Sequence, residues 1–187
     1  MAVGYVNAGT IEFLRDASGE LFFMEMNTRL QVEHPVSELV TGVDVPMEQI
    51  RIAANLPLGL RRADVRFQGH AIECRINAED PSEDFRPSPG RLTAFELGGG
   101  SAAGKGTLRV DTHLRAGDEI TPHYDSLLAK VIAHAPTRAQ AIELMLGALG
   151  AARVEGVKTT IPLHLAVLRS PAFRSGEYDT SSIPGWG

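Results

Sequence analysis

Glu25-Met26-Asn27-Thr28-Arg29-Leu30-Gln31-Val32-Glu33-His34-Pro35 is the stretch on which the fold turns. In an extended strand alternate side chains leave on opposite faces, so Glu25, Asn27, Arg29, Gln31 and Glu33 share one side and Met26, Thr28, Leu30 and Val32 the other. One side suits a core. The other carries two carboxylates, two amides and a guanidinium, groups suited to holding a metal ion beside a small oxyanion. Fully extended, Glu25 to Glu33 would reach roughly 26 Å at ~3.3 Å per residue, too long for one compact ligand, so a bend is expected after Asn27.

Upstream, Thr10 to Leu14 and Leu21 to Glu25 read as strands joined by Arg15-Asp16-Ala17-Ser18-Gly19-Glu20, in which Ser-Gly is a turn dipeptide. A two-residue loop at Ser18-Gly19 would pair Ala17 with Glu20 and set Glu12 directly opposite Glu25. Like charges so placed repel. A divalent cation removes the conflict, and magnesium takes oxygen ligands of this kind, with the Asn27 amide oxygen available on the same face. A solvated acidic edge without an ion is the alternative for Glu12 and Glu25 alone; the polar residues that follow favour the ion.

Three strings carry a family resemblance: Gly9-Thr10-Ile11-Glu12-Phe13-Leu14, then Met24 through Pro35, then Gly69-His70-Ala71-Ile72-Glu73-Cys74-Arg75-Ile76-Asn77-Ala78-Glu79-Asp80-Pro81. Together they closely resemble biotin carboxylase, the ATP-dependent component of acetyl-CoA carboxylase and of related acyl-CoA and pyruvate carboxylases. The likeness continues through Pro87-Ser88-Pro89-Gly90, His123 to Lys130 and Gly156-Val157-Lys158-Thr159-Thr160. Glu-x-Asn alone would indicate only some ATP-grasp ligase; Asn-Thr-Arg-x-Gln-Val-Glu-His-Pro is far more restrictive.

The resemblance implies a ligase that carboxylates carrier-bound biotin with ATP and bicarbonate. By motif, Glu12, Glu25 and Asn27 resemble the ligands of magnesium (or manganese) on the ATP phosphates, and Glu12, Leu14 and Glu25 the ATP contacts. Arg29, Gln31 and the backbone of Val32 resemble a bicarbonate cradle, Glu33 the base that deprotonates bicarbonate, and Arg75 the residue that steadies charge on the biotin ureido oxygen. The chemistry suits these types. Arginine's planar fork matches a carboxylate-like anion, a base must reach the proton it removes, developing oxyanion charge needs a preset donor, and phosphoryl transfer depends on positioning and charge neutralisation.

The expected fold is α+β: the terminal β-hairpin portion of an ATP-grasp domain over residues 1–45, a helix and linker over 46–66, and a biotin carboxylase C-terminal domain of antiparallel strands and packed helices over 67–187. Because the likeness begins just before a metal-bearing strand, the expectation is a C-terminal part, inactive alone for want of the nucleotide-binding half. Its expected partners are a biotin carboxyl carrier protein or domain, a carboxyltransferase subunit, an N-terminal biotin carboxylase half and a second copy in a homodimer. Two readings of other kinds compete: a non-catalytic domain that docks a biotin carrier or carboxylase subunit, and another ATP-grasp ligase acting on a carboxylate substrate.

Gly99-Gly100-Ser101-Ala102-Ala103-Gly104-Lys105-Gly106 nearly spells a phosphate-binding loop, but Gly106 stands where Ser or Thr is needed and a strand pattern follows instead of a helix. Gly98 to Gly106 reads as a flexible hairpin loop, longer and more glycine-rich than in the family, which departs from the dimer contact otherwise suggested for Arg109.

The chain has 187 residues, a net charge of -5 that argues against nucleic acid, and no apolar run of membrane-spanning length. The start lacks a signal-peptide pattern, and a single cysteine, Cys74, fits a reducing cytosol and a buried apolar role, so a cytoplasmic location is expected. The helices expected are a short one from Pro35 to Leu39, one from Val45 to Ala54 capped by Asp44, one opened by the capping box Thr137-Arg138-Ala139-Gln140, and a last one starting at Thr160 and Pro162. Strands are expected over Phe67 to Ile76, Arg91 to Leu97, Thr107 to Thr112 and Ser126 to Ala133. The six histidines are scattered without metal-ligand spacing and read mostly as structural; His34 reads as a support for Glu33 or as a helix entrance.

Overall fold

A computed structural model describes residues 4–98, 100–102, 106–179 and 181–186. In chain order the elements are β1 Thr10–Arg15, β2 Leu21–Asn27, α1 His34–Thr41, α2 Val45–Ala53, β3 His70–Asn77, β4 Glu79–Asp80, β5 Arg86–Pro87, β6 Gly90–Arg91, β7 Ala94–Glu96, β8 Gly100–Ala102, β9 Gly106–Asp111, β10 Glu119–Ile120, β11 Leu127–Ala135, α3 Arg138–Ala151, β12 Arg153–Glu155, α4 Ile161–Arg169 and α5 Pro171–Ser175. The chain divides into two compact units between Gln68 and Gly69.

In the first unit β1 and β2 form an antiparallel pair in which Glu12 stands opposite Glu25, as expected, but by another route. Pairing ends at Arg15 and Leu21, and a β-bulge at Glu12/Phe13 restores the glutamate register. The tight Ser18-Gly19 loop is corrected to a wider turn over 16–20. Its cause is Asp16, whose carboxylate accepts from Ser18 Oγ at 2.6 Å and from the Glu20 amide at 2.9 Å, while Gly19 N–H donates to the Asp16 carbonyl at 3.0 Å. Such a side-chain-built turn outcompetes a two-residue hairpin loop, and Gly19 supplies its positive φ of 91°.

Strand β2 stops at Asn27 and the backbone bends at Arg29, so the alternation read over Glu25 to Glu33 ends there and the rest curls into α1. Pro35 sits in the first turn of α1, where its missing N–H costs nothing. Helix α2 is capped by Asp44, whose carboxylate accepts from Met47 N–H at 2.8 Å, and the Val45 amide donates to Glu38 of α1 at 2.7 Å, tying the two helices together. Ile11, Phe13, Leu14, Leu21, Phe22, Phe23 and Met24 of the hairpin are exposed.

The second unit is built on a four-stranded antiparallel sheet in the order β3-β11-β9-β8, covered on one face by α3. Gly69 opens β3 at φ 67°, and a side chain there would strike the Ala135 carbonyl. Cys74, Ile76, Ala129, Val131 and Ala133 face Ile142, Met145 and Leu149 of α3 in one buried cluster, with Leu168 of α4 joining it. The Phe67 to Ile76 strand begins later, at His70, and the Arg91 to Leu97 strand is two short pieces, because Leu92 and Thr93 turn their amides to Asp118 and Glu155. Thr137 caps α3 by accepting from Gln140 N–H at 3.3 Å, which is one arm of the expected capping box, and its hydroxyl donates to Gln140 Oε1 at 3.0 Å. The loop expected over Gly98 to Gly106 is corrected at residues 100–102, which form strand β8 paired antiparallel with β9, while residues 99 and 103–105 lie outside the described residues. Helix α5 follows the helix expected to be last, and Phe173 from it stacks on Tyr178 and under Arg138.

Candidate functional site

Four of the expected site residues meet through their side chains in the first unit. Asn27 Nδ2 donates to Glu12 Oε1 at 2.7 Å and to Glu25 Oε1 at 3.0 Å, and Gln31 Nε2 donates to the same Glu12 oxygen at 2.9 Å. The bulge places both carboxylates on one face, and the bend after Asn27 brings Gln31 back over them. The two amides direct hydrogens at the carboxylate lone pairs, which is where a cation would bind. Rotating the Asn27 amide exchanges its donor for an oxygen and completes two carboxylates plus one amide oxygen, a hard donor set that fits magnesium. Among the described residues no cluster of three or more His, Cys, Asp or Glu forms. Leu14 lies two residues beyond Glu12, opposite Phe22, and both are exposed.

Beside this network opens a cleft of about 240 Å³ whose lining includes Arg29, Gln31, Glu33, His34 and Ser37. Gln31 belongs to both. Glu33 occupies the N-cap position of α1, so the cleft includes the first turn of a helix, whose dipole favours an anion. His34 Nδ1 lies 2.7 Å from the Gln31 carbonyl, and His34 N–H also donates to that carbonyl, which closes the turn from Gln31 to His34 around Val32. Of the two readings of His34, the helix entrance is the one the structure shows: its ring and its amide both meet the Gln31 carbonyl at the start of α1. Arg29 is exposed and touches the Leu30 carbonyl at 3.3 Å.

Arg75 stands on β3 in the second unit, on the sheet face opposite α3. One row across that face holds Arg75, Lys130 and Asp111, and the next holds Glu73, Ile132 and Arg109. Cations outnumber anions in these rows. Arg75 Nε is 3.8 Å from Glu73, whose side chain is only 5% exposed. Arg109 grips Asp111 with two bonds, at 2.7 and 2.9 Å, and Lys130 reaches the same carboxylate at 3.4 Å. Burial acts to raise the Asp111 pKa, but Arg109 and Lys130 outweigh it and hold the carboxyl below its ordinary range.

Behind Arg75 the sequence reading missed two supports. The Thr160 hydroxyl donates to the Arg75 carbonyl at 3.0 Å and accepts from Asn77 N–H at 3.0 Å, and His164 Nε2 lies 2.8 Å from the same Arg75 carbonyl. In the sequence Thr160 reads as a helix start and as part of the likeness over Gly156 to Thr160, and His164 as a structural histidine, neither as a support of Arg75. Their one shared sequence signal was the placement of both at the start of α4, Thr160 as its N-cap residue.

Comparison with known proteins bears on this arrangement directly. Residues 73–184 match the family described as "Biotin carboxylase C-terminal domain", and residues 1–61 match "Carbamoyl-phosphate synthase L chain, ATP binding domain". The chain is 50% identical over 181 residues to biotin carboxylase of Nostoc sp. and 50% identical over 183 residues to biotin carboxylase 1 of Bacillus subtilis. These alignments take in 97% of this chain but 39% and 40% of those proteins, so the chain spans about two fifths of the length of the curated relatives it matches. Among solved structures it resembles the biotin carboxylase domain dimer of Hydrogenobacter thermophilus 2-oxoglutarate carboxylase in complex with MgADP, ADP and bicarbonate, with a TM-score of 0.91, 48% identity, and coverage of 96% of this chain and 38% of that one.

A short hairpin bearing opposed carboxylates, followed by an antiparallel sheet with helices on one face, is the α+β arrangement of an ATP-grasp terminal hairpin and the domain that succeeds it. The chain belongs to the biotin carboxylase family, to which its C-terminal domain ties it.

Proposed function

We propose that this chain supplies the bicarbonate- and biotin-handling part of an ATP-dependent biotin carboxylase. The observation that carries the reading is Gln31, which bonds Glu12 of the carboxylate pair at 2.9 Å and lines the cleft shared by Arg29 and Glu33. One residue thus joins a seat for a metal-bound phosphate to a seat for a small anion, as a reaction between the two demands.

In this reading Arg29, Gln31 and the Val32 amide hold bicarbonate, and Glu33 takes its hydroxyl proton. The freed oxygen attacks the γ-phosphorus of ATP, the bond to the ADP oxygen breaks, and carboxyphosphate forms. Cleavage of its carbon–oxygen bond leaves carbon dioxide and phosphate. The released phosphate takes the proton of the biotin ring N–H, and that nitrogen then attacks carbon dioxide while Arg75 stabilises negative charge on the ureido oxygen. Glu12, Glu25 and Asn27 would hold magnesium or manganese, which when bound neutralises phosphate charge. In this reading Leu14, with Glu12 and Glu25, contacts ATP.

The partners that fit are a biotin carboxyl carrier protein or domain, a carboxyltransferase subunit, and a polypeptide supplying the nucleotide-binding portion; the chain by itself is inactive in this reading. The test mixes this chain with such a polypeptide, biotin, ATP and bicarbonate. Bicarbonate-dependent phosphate release that Glu33→Gln abolishes supports the reading. If the assembled mixture stays silent while a biotin carrier still binds, the chain is a docking domain instead.

A further inference from the structure

We infer that Thr160 and His164, the N-cap residue and an early residue of α4, are positioning residues for Arg75. The inference rests on the proposed role of Arg75 in the site above and extends it to residues outside that site.

Among the described residues β3 is the outer strand of its sheet, so the backbone groups of Arg75 and Asn77 that point away from β11 have no neighbouring strand there. An uncovered edge of this kind is mobile and open to wrong pairing. Thr160 replaces the missing strand almost group for group. Its hydroxyl donates to the Arg75 carbonyl at 3.0 Å, the same oxygen accepts from Asn77 N–H at 3.0 Å, and Thr160 N–H donates to the Asn77 carbonyl at 3.1 Å. His164 then adds a second donor on the Arg75 carbonyl at 2.8 Å. A carbonyl only accepts, so His164 Nε2 carries the hydrogen. Burial, set against that bond, lowers the His164 pKa and favours the neutral ring.

Two donors on one carbonyl restrain the tilt of a single peptide plane. That plane matters because a guanidinium sits at the end of a long side chain, where a small rotation at Cα becomes a large displacement. A shift of about 1 Å in a catalytic group can cost on the order of 100-fold in rate. Glu73 restrains the far end of Arg75 at 3.8 Å, and α4 restrains the near end. Side-chain grip without a fixed backbone would leave the pair free to move together.

The test uses Thr160→Val and His164→Ala with the conservative partners Thr160→Ser and His164→Gln. The first readout needs no turnover: the 15N order of the Arg75 Nε–H group in the chain. Thr160→Val and His164→Ala are expected to loosen Arg75 while Arg109, held by Asp111, stays unchanged, and Thr160→Ser and His164→Gln are expected to restore wild-type order. If Arg75 keeps its order in both disruptive variants, or loosens only in step with Arg109, the residues merely stabilise the sheet and the inference is overturned. The second readout is biotin carboxylation in the assembled enzyme, where His164→Ala is expected to lower kcat/KM for biotin about tenfold and leave KM for ATP unchanged. Arg75→Ala separates the two ideas: unchanged carboxylation in that variant would remove Arg75 from the proposed mechanism, and the order measurement would still decide whether Thr160 and His164 position it.

Discussion

Glu12 faces Glu25 across the β1–β2 ladder, and the Asn27 amide donates to both carboxylates at once. Two like charges so close destabilise a ladder by up to about 1 kcal/mol, and a bound cation reverses the sign. Magnesium should therefore raise the melting temperature of the chain in a concentration-dependent way, as any ligand of the folded state does. Glu25→Gln should abolish that response while leaving ion-free stability equal or higher. Thermal scans with and without magnesium give the answer.

Acid should weaken the second unit in two stages. Burial lowers the pKa of His164, and burial together with the Arg138 charge lowers that of His70, from an ordinary 6.5. Below 6.5 the unfolded chain therefore binds protons that the folded chain refuses, and stability falls with pH through that window. His164→Gln should flatten this part of the stability profile. Asp111 acts lower down: its stabilising effect is complete above 3.8 and is lost as pH falls through its depressed folded value. Asp111→Asn should remove that later loss. Denaturant melts across pH measure both.

Cys74 is 4% exposed in the core, and burial, with the Glu73 charge adding, pushes its thiol up to about 12. A thiol reagent should leave the folded chain unmodified and label Cys74 only as the sheet opens. Met145 is fully buried in the same cluster. Met145→Ala should cost about 2–5 kcal/mol and, where labelling follows the open population, speed it at least tenfold. Labelling of the native protein at the rate of a free thiol would contradict this packing.

Amides of β1 and β2 should exchange faster than those of β11. The hairpin is a two-stranded sheet with Phe13, Phe22 and Phe23 exposed, whereas β11 lies between β3 and β9 beneath α3. Hydrogen exchange follows local opening. Equal protection in the two strands would show that the hairpin is stabilised by contacts other than its own pairing.

How much could be read beforehand differs from residue to residue for physical reasons. The Asp44 cap, the bend after Asn27 and the helix after Thr137 depend on neighbours within a few positions, and local pattern showed them. The Glu12 and Glu25 pairing was expected through a turn that does not form; the Asp16-built turn and the bulge each change the count by one and cancel. Alternation could suggest that Arg29, Gln31 and Glu33 share a side, but a cleft requires the chain to curl. The supports of Arg75 were invisible because Thr160 and His164 lie 85 and 89 positions away from it, and no local periodicity encodes a contact of that separation.

The most direct measurement follows the oxygen that bicarbonate contributes. With the chain joined to a nucleotide-binding portion, ATP, biotin and 18O-labelled bicarbonate, the released phosphate should carry one labelled oxygen, and Glu33→Gln should stop its appearance. Phosphate that takes its new oxygen from water, or labelled phosphate formed undiminished by the Glu33→Gln variant, would contradict the assignment of Arg29, Gln31 and Glu33 as the bicarbonate seat.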